Sequence, residues 1–463
     1  MSRKKRKADR VNSNKGILHI FALVLILTLF VFSGETFALD IKKQDLPNGL
    51  KVFHAERKNL PIVVLTLLIK ASPLDESDEK AGTASLTAKL LTEGTAGRSA
   101  MQISEEVDFL GASLGAGAGK DYTTVGLGVL KKDLQKGFEL FADILLRPSF
   151  PEEELKRKKE QLKGMLKRQE DEPGFVADRA FIREVFGSHP YGRLTEGSVK
   201  SIDAITRQDI IDFYRANYRP DNAFLTVAGD ISQAELDTLL GLYLKDWKGP
   251  GTAGPSKHKA PEKAQRTTPK VIIIDKDITQ ANIILGHAGI ARENPDYYAV
   301  SVMNYILGGG GFASRLMKIV RDDMGLAYSI HSGFSGNKYP GAFEVGVQTK
   351  NESADVVVRE VLKQMRRIKT ELVSDKELSE AKSYLTGSFP RRLETTSKIV
   401  DFVSAVQFFD LGDDYIQRYP SYINSVTKED VRRVAEKYLN PESYVLVLVG
   451  RQSGMKLHQL QAP

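Results

Sequence analysis

Ile202-Asp-Ala-Ile-Thr-Arg-Gln-Asp-Ile210 is followed by Pro220 and Gly229, and Ile423-Asn-Ser-Val-Thr-Lys-Glu-Asp-Val431 is followed by Pro441 and Gly450. The offset is constant and needs no gap: Thr206 pairs with Thr427, Asp209 with Asp430, Pro220 with Pro441 and Gly229 with Gly450. In each copy the Thr is a good helix N-cap, and the acid three residues on favours the helix start. An apolar run then follows the Pro, Phe224 to Ala228 or Tyr444 to Val449, and reads as a short buried strand. Agreement over so long a register marks a duplicated fold.

The division between the copies is written in composition. Lys248-Gly-Pro-Gly-Thr-Ala-Gly-Pro-Ser-Lys-His-Lys-Ala-Pro261 loses all apolar periodicity and reads as an exposed linker, taken as residues 248–268. It separates residues 39–247 from residues 269–463, each the size of one large domain. In the first half Asn48-Gly49 suggests a hairpin into a strand from Leu50 to His54, and Ile62 to Ile69 is a second strand. Helices are expected at Lys80 to Leu91, Met101 to Leu110, Leu134 to Leu146, Glu152 to Glu170 and Ser232 to Trp247. In the second half strands are expected at Val271 to Ile274, Ala281 to His287 and Phe343 to Thr349. Helices are expected there at Asp296 to Leu307, Phe312 to Asp323, Ala354 to Leu372 and Asp375 to Tyr384. Strands and helices cluster and do not alternate strictly, which favours an α+β fold over a doubly wound parallel sheet.

Apolar residues at 41 % and charged residues at 27 % place the chain among globular proteins and exclude a disordered one. The net charge of +7 does not signal nucleic acid, because seven Lys/Arg and two acids within residues 1–38 supply most of it. In that segment a basic stretch precedes the apolar run Gly16 to Phe32 and then Ser33-Gly-Glu-Thr-Phe-Ala38. The order reads as a secretory signal peptide cleaved after Ala38, with an uncleaved inner-membrane anchor as the alternative. The chain has no cysteine, which excludes disulfides and thiolate chemistry and fits a bacterial periplasm.

Several segments, in order, resemble the M16 (insulinase/pitrilysin-type, processing-peptidase-like) metallopeptidase family. Leu46-Pro-Asn-Gly-Leu-Lys-Val52 is similar to its opening strand, and Ala81-Gly-Thr-Ala-Ser-Leu-Thr-Ala-Lys-Leu-Leu-Thr-Glu-Gly-Thr95 to the frame of its zinc helix. Ser188-His-Pro-Tyr-Gly-Arg193 resembles the segment before the first half's last helix, and Tyr218-Arg-Pro-Asp-Asn-Ala223 the lead into that half's final strand. Gly308-Gly-Gly-Gly-Phe-Ala-Ser-Arg-Leu316 and Arg321-Asp-Asp-Met-Gly-Leu-Ala-Tyr328 resemble the most distinctive stretch of the second half. The resemblance implies two homologous α+β domains, LuxS/MPP-like, each a mostly antiparallel sheet packed with helices.

Active members of the family carry His-x-x-Glu-His on the first half's helix: two ligands one turn apart and a Glu that activates water. The matching positions here are Ser85, Ala88 and Lys89. A third ligand, a Glu on a later helix, would fall near Gly164 or Met165, with Glu160 or Glu170 able to fill it on a slipped register. An ammonium at a ligand position offers charge of the wrong sign and no lone pair, so no metal ligand is assigned to this chain. The seven histidines, His19, His54, His189, His258, His287, His331 and His458, contain no pair at helical ligand spacing. Ser85 and Lys89 share a helical face, but their i,i+4 spacing is not the Ser-x-x-Lys of acyl enzymes, so no catalytic residue is assigned.

The resemblance implies that Arg321 and Tyr328 lie across a closed chamber from the zinc and bind the substrate backbone near the scissile carbonyl. A guanidinium fork and a phenol both donate to carbonyl oxygen. Gly325 would end the helix bearing Arg321, and Tyr328 would start the next strand. The glycine loop Gly308 to Gly311, with Gly309 and Gly310 at its centre, has no following Gly-Lys-Ser/Thr, so it is not a phosphate loop. In the family it helps to hold extended peptide. The run Lys156-Arg-Lys-Lys159 is expected to be a solvated helix face.

The expected function is therefore a non-catalytic, periplasmic peptidase-family subunit. It would bind extended peptide or unfolded protein and pair with a zinc-bearing homologue, the zinc residing only in that partner. The alternative is a scaffold or peptide-binding protein with no proteolytic role.

Overall fold

The computed structural model describes residues 39–249 and 268–455, so the segment 1–38 and most of the linker lie outside the described residues. The first sheet contains β1 (Lys42–Asp45), β2 (Lys51–Glu56), β3 (Ile62–Ile69), β4 (Ser113–Ala118), β5 (Thr123–Leu130) and β6 (Ala223–Gly229). Its order is β1-β2-β6-β3-β5-β4. The second sheet contains β7 (Lys270–Asp275), β8 (Gln280–Ala288), β9 (Ala327–Phe334), β10 (Ala342–Lys350) and β11 (Val445–Gly450), in the order β7-β11-β8-β10-β9. Every pairing is antiparallel except β2 with β6 and β7 with β11. The expected α+β architecture of two like halves is the one observed.

The repeated stretches occupy like places. Thr206 accepts a hydrogen bond from the backbone N–H of Asp209, and Thr427 from that of Asp430, each with the reciprocal bond from Thr N–H to the Asp carboxylate. Such a cap contributes about 1 kcal/mol. The strands that follow, β6 and β11, are buried along their whole length and sit inside their sheets. Asn48-Gly49 does close a hairpin, between β1 and β2, with Gly49 at φ +91°.

The two halves are interlocked by an exchange of helices. The helix Pro173–Phe186, which precedes the linker, packs on β8 and β11 of the second sheet. The helix Thr396–Phe408, which follows it, packs on β3 and β6 of the first sheet. Ala177, Phe181, Ile182 and Val185 form one core with Val445, Val447 and Val449. Phe181 closes onto Gly286 of β8, where an added Cβ would come within 2.8 Å of its ring. On the other sheet the buried Ser404 hydroxyl donates to Thr226 Oγ1 at 3.0 Å. A further tie crosses between the halves: Asp121, which accepts from the Tyr191 hydroxyl of its own half, also accepts from Lys338 N–H at 3.0 Å.

Two expectations are revised. Phe312 to Asp323 is not one helix: a turn at Gly311–Ala313 gives way to extended Ser314, and a widened helix begins at Met317–Asp323. Gly311 has φ +57°, and the Ser314 hydroxyl donates to Gly311 O at 2.7 Å, which fixes the break. Nor is Lys156 to Lys159 a wholly solvated face. Arg157 and Lys158 bracket Glu93, and Lys159 Nζ donates to the carbonyls of Asp203 and Ile205 at 3.0 and 2.8 Å.

Candidate functional site

The helix Thr83–Leu90 starts at Gly82, and its first turn is capped by a distant carboxylate. Glu76 accepts from Gly82 N–H at 2.9 Å and from Ala84 N–H at 2.8 Å. Burial pushes the Glu76 carboxyl up to about 7, against these two donors and Arg193, whose Nη2 lies 3.6 Å away. On this helix Ser85 and Ala88 are buried, Ala88 completely, and Lys89 is half-buried. The helix packs against Glu152–Gln169, where Met165 turns partly into the core. Glu160 instead pairs with Lys163 at 2.6 Å and Glu170 with Arg179 at 3.3 Å. Glu93 is held by Arg157 and Lys158. Among the described residues no group of three His, Cys, Asp or Glu is placed to hold a metal ion. A hydroxyl, a methyl and an ammonium do not fit zinc, and no step through zinc can be assigned to this helix. No hydrogen bond joins Ser85 to Lys89 among the described residues, so the spacing does not become a nucleophile–base pair.

The same helix packs on β4, which with β1 forms the edges of the first sheet. Sequence reading missed this strand because Ser113-Leu-Gly-Ala-Gly-Ala118 is poor in β-branched residues. It pairs with β5 in an unbroken register from Ser113↔Gly128 to Ala118↔Thr123. The strand carries no proline and no charge, so it lacks the usual devices that prevent another strand from adding to a free edge.

The edge of the second sheet differs. β9 carries a register break against β10 between Val347 and Thr349, which places an extra residue in the Ala327–Ile330 segment. Such a bulge ends regular pairing and re-aims a side chain. Tyr328 lies there and is 89 % exposed. Arg321 reaches it from the Met317–Asp323 helix, whose end at Gly325 has φ +63° and a bond from Gly325 N–H to Arg321 O at 3.1 Å. The guanidinium lies 5.8 Å from the Tyr328 ring centre and 4.7 Å from that of Phe312. Phe312 is 71 % exposed and was not singled out from sequence, because one aromatic after a glycine run carries no periodic signal. Arg321 also meets Asp322, at 3.1 Å through Nη1.

Gly309 and Gly310 of the glycine loop fold closely against the preceding turn. A Cβ at Gly309 would come within 2.5 Å of Asn304 Nδ2, and one at Gly310 within 2.6 Å of Tyr305 O. Asn304 in turn ties the loop to β9: it accepts from Ser332 Oγ at 2.7 Å and donates to Ser332 O at 3.1 Å. Arg315 anchors the other flank through a two-pronged contact with Glu377, at 2.6 and 3.1 Å. Burial raises the Glu377 carboxyl, but Arg315 and the Ser374 donors outweigh it and hold the group down at about 2. The structure thus brings Arg321, Tyr328 and the glycine loop together at one sheet edge. Ser85, Ala88 and Lys89 belong to the other sheet, and no hydrogen bond or ion pair joins the two sets among the described residues.

Comparison with known proteins gives a consistent result. Residues 51–198 match the family model described as insulinase (peptidase family M16), and residues 204–385 match the model described as peptidase M16 inactive domain. An uncharacterized zinc protease of Streptomyces coelicolor is 27 % identical over 440 residues, covering 94 % of this chain and 95 % of its own. The uncharacterized zinc protease YmxG of Bacillus subtilis is 25 % identical over 418 residues, covering 90 % and 99 %. A solved structure titled peptidase M16 inactive domain, from Pseudomonas fluorescens, superposes with a TM-score of 0.83 at 30 % identity, covering 90 % of this chain and all of its own. A protease from Helicobacter pylori superposes with a TM-score of 0.82 at 20 % identity, over 89 % and 99 %, a likeness of fold.

Proposed function

The chain belongs to the M16 peptidase family, and from that premise we propose that it is a non-catalytic subunit that binds extended peptide for a zinc-bearing homologue. The observation that carries this reading is the chemistry at Ser85, Ala88 and Lys89, where the family's ligands and base would stand. The rest of the molecule supports a binding role. β4 offers an unguarded strand edge to the main chain of a peptide, and such pairing gives affinity with little dependence on side chains. Tyr328 supplies an exposed donor and Arg321 a half-buried one at the other sheet's edge. Gly309 and Gly310 shape the loop beside them. The proposal places the protein in the periplasm, exported or anchored through residues 1–38, with the zinc in the partner alone.

Mixing the chain with a zinc-bearing homologue is expected to produce cleavage of an unfolded peptide that neither chain gives alone. Arg321→Ala should lower kcat/KM on the order of 10²-fold and Tyr328→Phe about tenfold, as for loss of donors to a developing oxyanion. Complex formation with unchanged turnover in both variants would remove the assigned role. Complex formation with no peptidase activity at all would select the reading as a scaffold or peptide-binding protein, which the edge strand serves equally well.

A further inference from the structure

A polar cavity lies between the end of the helix Pro173–Phe186 and the loop that follows it. Its volume is about 240 Å³, and its polar lining includes Arg179, Arg183, Arg193, Ser188, Ser198 and Asp78. Arg179 and Arg183 stand one turn apart on one helix face, where like charges repel. Arg193 enters from the opposite wall and is fixed there: Nη1 pairs with Asp78, and Nη2 donates to Pro73 O at 2.7 Å and Glu76 O at 3.2 Å. Its Nε is buried and has no hydrogen-bond partner among the described residues. Glu170 reaches Arg179 at 3.3 Å, and no ion pair is formed by Arg183 among the described residues. Three arginines and two serines thus line one small space, with Asp78 in its wall, Glu76 3.6 Å from Arg193, and the Ser198 hydroxyl engaged in capping the helix Val199–Ala204.

We infer that this cavity is an oxyanion site, taking phosphate or the terminal carboxylate of a peptide. Planar guanidinium forks match the oxygens of both groups and bind them by two parallel N–H···O bonds. A bound oxyanion would relieve the repulsion between Arg179 and Arg183. It would also brace the Pro73–Asp78 segment, from which Glu76 caps the Thr83–Leu90 helix. The site is independent of the peptide-binding reading, since it shares no residue with it.

The test is thermal unfolding of the full chain against inorganic phosphate at constant ionic strength, with affinity measured by calorimetry. Phosphate should raise Tm saturably in the wild type and in the Arg321→Ala, Tyr328→Phe variant. Affinity should fall about tenfold or more in Arg179→Gln and Arg183→Gln, fall less in Arg183→Lys, and hold in the control Arg432→Gln. Displacement of phosphate by a peptide acid but not by its amide identifies a chain terminus as the ligand. Failure of both to displace it identifies a free oxyanion, and either result retains the site. A Tm shift that does not saturate, or that is the same in Arg179→Gln and Arg183→Gln as in wild type, overturns it.

Discussion

His287 illustrates what a single buried residue contributes. Its Nδ1 donates to Ala288 O at 2.9 Å, and its Nε2 accepts from Asn440 N–H at 3.1 Å, so both nitrogens are used and the ring is neutral. Burial, with Lys369 nearby, holds its pKa down at about 4 against the ordinary 6.5. A group depressed in the folded state stabilises fully above its unfolded pKa and ceases to do so as pH falls. Stability is therefore expected to decline between pH 6.5 and 4, by on the order of 3 kcal/mol from this residue. Urea unfolding at pH 7.5 and 4.5 measures the decline, and most of the difference should vanish in His287→Gln. A variant with the full wild-type pH dependence would show that other groups carry it. Of the seven histidines, sequence could say that none sat at ligand spacing, but not that this one was locked neutral against a loop 153 residues away.

At the scale of elements, the edge strands decide how a peptide can be held. β4 is regular and uncharged, and β9 is bulged at Tyr328. A peptide adding as a strand should therefore use β4 and meet β9 through side chains. In a strand, successive backbone N–H groups point to opposite sides, so only one of Gly115→Pro and Ala116→Pro removes an outward donor. That variant should abolish binding of an extended peptide, measured by fluorescence anisotropy, while its Tm changes little. The other should lose stability through its broken pairing with β5. Equal peptide affinity in both stably folded variants would exclude strand addition at β4. Of these two, β4 was not identified from sequence because it is built of small residues, whereas for β9 only the start, at Tyr328, was expected.

For the whole molecule, the exchanged helices mean that neither half buries its sheet without the other. Phe181→Ala opens a cavity over the second sheet and should cost about 3–5 kcal/mol. The chain should still unfold in one transition. Trp247, the single tryptophan, is buried in the first half and reports that half alone, so its fluorescence should coincide with far-UV circular dichroism in wild type and in Phe181→Ala. Two separated transitions would show that the halves fold as independent domains despite the exchange.

The amino-acid sequence alone determined the duplication, the capped helix before each central strand, and the absence of any His-x-x-Glu-His. These follow from local rules: caps, periodicity and residue type act within a few positions of one another. Tertiary structure alone decided that the helix before the linker serves the second sheet, that Phe312 joins Arg321 and Tyr328, and that three arginines share one cavity. Those are meetings of residues far apart in the chain. The pattern of each helix states that a face must be buried but does not state against which sheet, because apolar attraction has no direction.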